Sequence, residues 1–175
     1  MTQQLPYIYS ATPPDTPPPA PFVWILPAGA NGENWMFRYN GNSGSVYKWE
    51  LIGGSPLVAG PVGGMTLSAT GNTVLTSGPF LTLPRPGDYI IEIGIIVNAG
   101  SAQFLDVNPF GTVAGVLGPT ITLSPPGGFY EDAYQVSRSN GLAAQGIEIV
   151  CSIANSTVST GFQSGQLKIT PVRVQ

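Results

Sequence analysis

The sequence predicts an all-β protein: a jelly-roll-like β-sandwich preceded by an N-terminal proline-rich extended arm and a small aromatic β-hairpin segment. Three observations predict it. Seven of the 18 prolines fall between Pro6 and Pro21. Two aromatic runs, WMFRYN and VYKWELI, flank a loop of Gly, Asn and Ser. Beyond them, short runs of strand-forming residues recur between Gly and Pro, and no window sustains the 3.6-residue stripe of a helix.

The arm comprises residues 1–21 and includes the run LPYIYSATPPDTPPPAP. Proline fixes φ and lacks a backbone donor, so such a stretch is neither helix nor central strand. It reads as an extended, polyproline-like leader. Pro13, Pro14, Pro17, Pro18, Pro19 and Pro21 are its candidate partner-contacting residues.

The second piece is residues 22–58. Alternation places Trp35, Phe37 and Tyr39 on one face, opposite Met36 and Arg38; Tyr47, Trp49 and Leu51 share a face, opposite Lys48 and Glu50. That is a hairpin with one aromatic and one polar side, Arg38 lying across from Glu50. An isolated hairpin is marginal in water, so the aromatic side must pack on something. The same rings also suit stacking of a sugar, which leaves Trp35, Phe37, Tyr39, Tyr47 and Trp49 as either packing residues or a glycan platform.

The third piece is residues 59–175, entered through SPLVAGPVGG, which reads as a linker or turn. Its strongest strand is GDYIIEIGIIVNAG, with Tyr89, Ile91, Ile93, Ile95 and Val97 on one side and Ile90, Glu92, Gly94 and Ile96 on the other. Two largely apolar sides imply burial on both. MTLSA, TVLT, AQFLDV, TITLS, FYEDAYQVS, IEIVCSIA and QLKITPVRV follow as further strands. About eight short strands at this spacing indicate a sandwich or jelly roll.

Charged residues make up only 9% of the chain, against a usual share of roughly 25%. A surface so poor in charge suits coverage by partner subunits, and homo-oligomerisation is expected. The net charge is −3, and Arg38, Lys48, Arg85, Arg138, Lys168 and Arg173 are scattered, which argues against nucleic-acid binding. No apolar run is long enough for a transmembrane helix, and the start lacks the basic-then-apolar order of a signal peptide. No histidine is present, and the single cysteine, Cys151, sits in an apolar run. The usual triads and zinc sites are therefore missing, no cofactor is implied, and the chain reads as non-enzymatic. Glu131 and Asp132 are adjacent and point to opposite sides of a strand; with Asp106 they offer oxygen ligands of the calcium type or, more plainly, solvated carboxylates. Asn155-Ser156-Thr157 matches a glycosylation acceptor and reads here as a turn.

Residues Trp35 to Leu57, WMFRYNGNSGSVYKWELIGGSPL, resemble a segment of accessory virion proteins of long-tailed bacteriophages, especially those of actinobacteria. The likeness rests on Phe37-Arg38-Tyr39-Asn40, Tyr47-Lys48-Trp49-Glu50 and Gly53-Gly54-Ser55-Pro56-Leu57. Pro86-Gly87-Asp88-Tyr89 and the ending Pro171 to Val174 extend it into the β domain. The third piece is also similar in strand rhythm to trimeric, tumour-necrosis-factor-like jelly rolls of phage fibres. The resemblance implies a virion location after synthesis in the bacterial cytoplasm, a homotrimer, and partners among tail or capsid proteins. It further implies a minor tail, fibre or host-adsorption role, with head decoration as the alternative and host surface glycan as a possible ligand.

Overall fold

A computed structural model of the chain describes residues 5–15, 17–18, 20–27, 34–63, 65–67, 71–74, 78–99, 105–123, 130–153 and 160–175. Every regular element among them is a strand. The first four are β1 (Tyr7–Tyr9), β2 (Val23–Leu26), β3 (Trp35–Tyr39) and β4 (Trp49–Gly53). Next come β5 (Leu57–Val62), β6 (Met65–Leu67), β7 (Gly71–Val74), β8 (Leu81–Thr82), β9 (Gly87–Ala99) and β10 (Leu105–Gly111). The chain finishes with β11 (Gly115–Val116), β12 (Ile121–Leu123), β13 (Tyr130–Leu142), β14 (Gly146–Ile153) and β15 (Thr160–Val174).

Pairing arranges these into a jelly roll. β5 and β6 both line β15 and act as one interrupted strand; β7 and β8 both line β14 and act as another. With β9, β10, β12, β13, β14 and β15 the strands from Leu57 then number eight, β11 being a short return on β10. One sheet runs first–eighth–third–sixth, the other second–seventh–fourth–fifth. That is the double Greek-key order of a jelly roll. The inward sides of the two sheets meet in one core, with Tyr89, Ile91, Ile93, Ile95, Val97, Leu167 and Ile169 from one, and Val107, Ile147, Ile149 and Cys151 from the other.

Two expectations need correction. The supposed linker is strand: Leu57–Val62 is β5, antiparallel to β15. Its Gly and Pro are tolerated because β5 pairs on one side only, so Pro61 removes no ladder donor that a second neighbour needs. Gly60 adopts φ 93°, and a Cβ there would meet the Gly165 carbonyl, so glycine is required where the register shifts. A boundary after residue 58 accordingly falls inside a strand, and the aromatic segment and β domain share a sheet. Second, only one side of β9 is fully enclosed; Ile90, Glu92, Gly94 and Ile96 are half-buried on the outward side. On β13, polar side chains turn inward: Gln135, Ser137 and Ser139 are buried while Tyr134 and Val136 are exposed. The Ser139 hydroxyl donates to the Leu117 carbonyl (2.8 Å) and the Gln135 amide to the Pro119 carbonyl (2.5 Å). The inward polar side chains thereby find acceptors on the backbone at the sandwich edge.

β4 joins the jelly roll at the far end of β15, Glu50 opposite Arg173 and Trp49 opposite Val174. Asp88 fastens this junction. Only 3% exposed, it accepts from the Ser45 hydroxyl (2.7 Å) and the Gly141 amide (3.0 Å), with the Arg173 guanidinium at 3.6 Å. Gly141 presents that amide from a φ of 71°, at the bulge where β13 shifts register against β9. Asp88→Ala leaves both donors without their acceptor, and a loss of about 3 kcal/mol is expected. Urea unfolding measures it; a loss below about 1 kcal/mol would contradict the role given to Asp88.

Candidate attachment site

The sheet continues beyond β4 through β3 and β2 to β1, which pairs in parallel with β2 and ends the sheet. The aromatic piece is therefore three antiparallel strands rather than a two-stranded hairpin, with part of the arm added as a fourth. Residues 7–9 contain no proline, which is why they can take strand geometry inside an otherwise proline-rich leader. The Pro6 carbonyl accepts from Val23 N–H (2.9 Å), Ser10 N–H donates to Ile25 (3.1 Å), and the Trp24 indole N–H donates to the Ser10 carbonyl (2.8 Å). Those bonds seat the arm, yet its side chains stay outside the core: Tyr7 is 66% and Tyr9 61% exposed.

Farther along, Pro13 and Pro14 are half-buried and, with Asp15, Tyr47, Lys48, Trp49 and Gln175, line an open cleft of about 800 Å³. Pro18 is half-buried, Pro17 and Pro21 are exposed, and Pro19 lies outside the described residues. The prolines thus divide between seat and solvent.

Beneath the arm is an aromatic core. Trp24, Trp35, Phe37 and Trp49 are at most 1% exposed, while Tyr39 and Tyr47 are half-buried. The Trp24 ring lies 5.2 Å from Phe37 and 5.4 Å from Trp49; Phe22 and Tyr39 pack on Trp49 at 5.6 and 5.5 Å. Each such ring pair contributes about 0.5–1.5 kcal/mol beyond the area it buries. A sugar cannot stack on enclosed rings, so Trp35, Phe37 and Trp49 do not form a glycan platform in this structure. Phe22 and Trp24 escaped the sequence reading; their signal was the alternation of Phe22, Trp24 and Leu26.

Charges reinforce the junction. Arg38 does face Glu50 in register, but the Glu50 carboxylate takes the Arg173 guanidinium instead (3.1 Å). Burial alone would raise the Glu50 pKa; hydrogen bonds from Arg173 and Asn40 outweigh it and hold the group below its ordinary value of 4.5. On the outward side of the jelly roll, Glu92 is held low by Lys168 (2.8 Å) and by the Tyr134 hydroxyl, which donates to it.

The remaining candidates do not converge. Asp106 accepts from Thr122 (2.7 Å) on β10, whereas Asp132 is exposed on β13 of the other sheet, and the Glu131 side chain lies outside the described residues, as does Asn155-Ser156-Thr157. No group of three metal-ligating side chains occurs among the described residues. Cys151 is fully enclosed, and burial pushes its thiol pKa up.

No family model and no curated protein sequence matches the chain. Solved structures are similar at low levels. The Stig cyclase Fisc from Fischerella sp. TAU has 14% identity and a TM-score of 0.41, over 83% of this chain and 78% of that one. The infectious bursal disease virus Gx strain structure has 14% identity and a TM-score of 0.35, over 81% and 44%. The exo-β-1,3-galactanase of Phanerochaete chrysosporium has 12% identity and a TM-score of 0.29, over 84% and 43%. The chain spans less than half of the latter two, and likenesses at this level carry no argument about what it does.

Two outcomes follow from the seat's geometry. Glu50 has a depressed pKa, so its contribution is present above about pH 4.5 and is lost as pH falls through its folded value. Acid unfolding of Glu50→Gln should therefore show a shallower loss below pH 4.5 than wild type; equal slopes would remove Glu50 from the account. Trp24→Phe keeps a ring in the core but deletes the donor to Ser10. It should cost about 1 kcal/mol and speed proteolytic cleavage between residues 10 and 15, whereas unchanged cleavage would show that the indole does not hold the arm.

Proposed function

We propose that this chain is a structural accessory protein of a bacteriophage virion, a homotrimer fixed to the particle by residues 1–21 and projecting its jelly roll outward. The observation that carries the reading is the separation of the two parts. No described residue of the arm belongs to the buried core: Tyr7 and Tyr9 are exposed and Pro13, Pro14 and Pro18 only half-buried, while the sandwich core is completed by residues from Leu57 onward. An element that adds little to the core yet is rich in proline is suited to docking, because less conformational freedom is lost on binding. Shape rather than reactivity is what the jelly roll offers.

A subunit contact also has a suitable surface. The outward side of the β5–β15–β9–β13 sheet carries Val58, Tyr134 and Val136, each at least 46% exposed, beside half-buried Ile90 and Ile96. An apolar area of this kind in a chain with 9% charged residues suits coverage by other copies. The reading takes a minor tail, fibre or host-adsorption station first and head decoration as the alternative; the resemblance at Trp35 to Leu57 extends to both.

Deletion of residues 1–21 is the test. The truncated protein should remain folded and oligomeric, since Phe22 and the jelly roll are retained, but should fail to enter particles assembled with it in place of the full chain. Normal incorporation would overturn the anchoring role.

A further inference from the structure

Among the described residues, no strand pairs with the outer edge of β1. In a parallel ladder, successive residues direct their N–H and C=O groups alternately to the two edges. Pro6 and Ser10 bond to β2, and Ile8 stands in register with Trp24 between them. Residues 6, 8 and 10 therefore face β2, and Tyr7 and Tyr9 turn their N–H and C=O groups away from it. Natural sheets blunt such edges with charge, proline or a bulge. Here the exposed stretch Leu5 to Tyr9 has no charged side chain, and none occurs before Asp15. Pro6 spends its missing donor on the side of β2, so it does not protect the outer edge.

We infer that this edge is closed by β1 of a second copy of the chain, running antiparallel about a two-fold axis through Ile8. In that arrangement Tyr7 of each copy pairs with Tyr9 of the other. Each pair exchanges both hydrogen bonds, so the N–H and C=O of Tyr7 and Tyr9 are all satisfied. Self-complementarity is what selects a second copy: three residues suffice, and every free group finds its equivalent. Tyr7 and Tyr9 stack across the strands on one face, an aromatic cross-strand pairing that stabilises sheets. With no charge in the first 14 residues, the two-fold brings no like side-chain charges together. The inference does not rest on the virion reading, and the contact is separate from the outward sheet surface described above.

The test uses the full chain. At the two-fold, Ile8 and its equivalent form a non-hydrogen-bonded pair with Cα atoms roughly 4.5 Å apart, within the range a disulfide spans. Ile8→Cys should therefore cross-link rapidly to a dimer under mild oxidation at low protein concentration, and buried Cys151 needs no replacement. Adding Tyr9→Pro deletes an outward donor while sparing the bonds to β2, and should slow cross-linking at least tenfold. If that proline disturbs the arm itself, Tyr7→Lys with Tyr9→Lys sets like charges opposite each other and should have the same effect. Absence of a dimer in Ile8→Cys, or equal cross-linking with and without the edge substitutions, overturns the inference. So does loss of particle entry by Tyr9→Pro without any Ile8→Cys dimer, which would assign the edge to a different protein's strand. Failure of the 1–21 deletion to block particle entry would leave this contact standing, because cross-linking is read in solution.

Discussion

The reach of the last strand governs the whole structure. β15 bonds β9 along one side, and on the other takes β6, β5 and β4 in succession, from Thr160 to Val174. A sandwich needs only the part that faces β5 and β6. The surplus, ending at Arg173 and Val174, supplies a ladder on which a further sheet can grow, and the aromatic strands occupy it. Arg173 then ties the surplus down by reaching Glu50 on one side and Asp88 on the other. The aromatic segment and the jelly roll are thus joined by strand pairing and an ion cluster rather than by a linker.

This plan distributes stability unevenly. The jelly roll and aromatic segment bury Trp, Phe, Ile and Leu in a single cluster, where each fully buried side chain contributes about 1.5–3 kcal/mol. The arm contributes a few backbone bonds and one indole bond, each worth about 1 kcal/mol. Elements that dock elsewhere are drawn from the less stable end of a structure, since their release must cost little. A leader held by hydrogen bonds more than by burial meets that condition. On the proposed reading, its exposed tyrosines are the residues that meet a partner surface.

Much of this was legible from residue order, though not uniformly. Alternation from Tyr89 to Val97 located the central strand and its buried side, and alternation at Trp35, Phe37 and Tyr39 located the aromatic face. What failed did so for identifiable reasons. Leu57–Val62 looked like a linker because Gly and Pro are poor strand formers, yet its partner lies more than 100 residues away in β15 and imposes the geometry. The inward polar side of β13 was not legible, because Gln135 and Ser139 donate to the carbonyls of Pro119 and Leu117, partners that local spacing does not reveal. Glu50 chose Arg173 over Arg38, a competition decided by tertiary placement that local spacing does not reveal. Proline density hid β1, which forms within the short proline-free interval between Pro6 and Pro13. The aromatic residues were recognised as a group, but whether they faced a core or a ligand depended on what covers them, and that is a property of the fold.

Hydrogen exchange in dilute, full-length protein tests the central claim most directly: the arm must be energetically separable from the body that carries it. The amides of Ile8 and Ser10, which face β2, should exchange through local opening orders of magnitude faster than the paired amides of β9 and β15. Those of Trp24 and Phe37, which pair with each other across β2 and β3, should follow the body. If Ile8 and Ser10 were instead protected as strongly as the centre of β9, the arm would be an integral strand of the fold, and an attachment role for it would be contradicted.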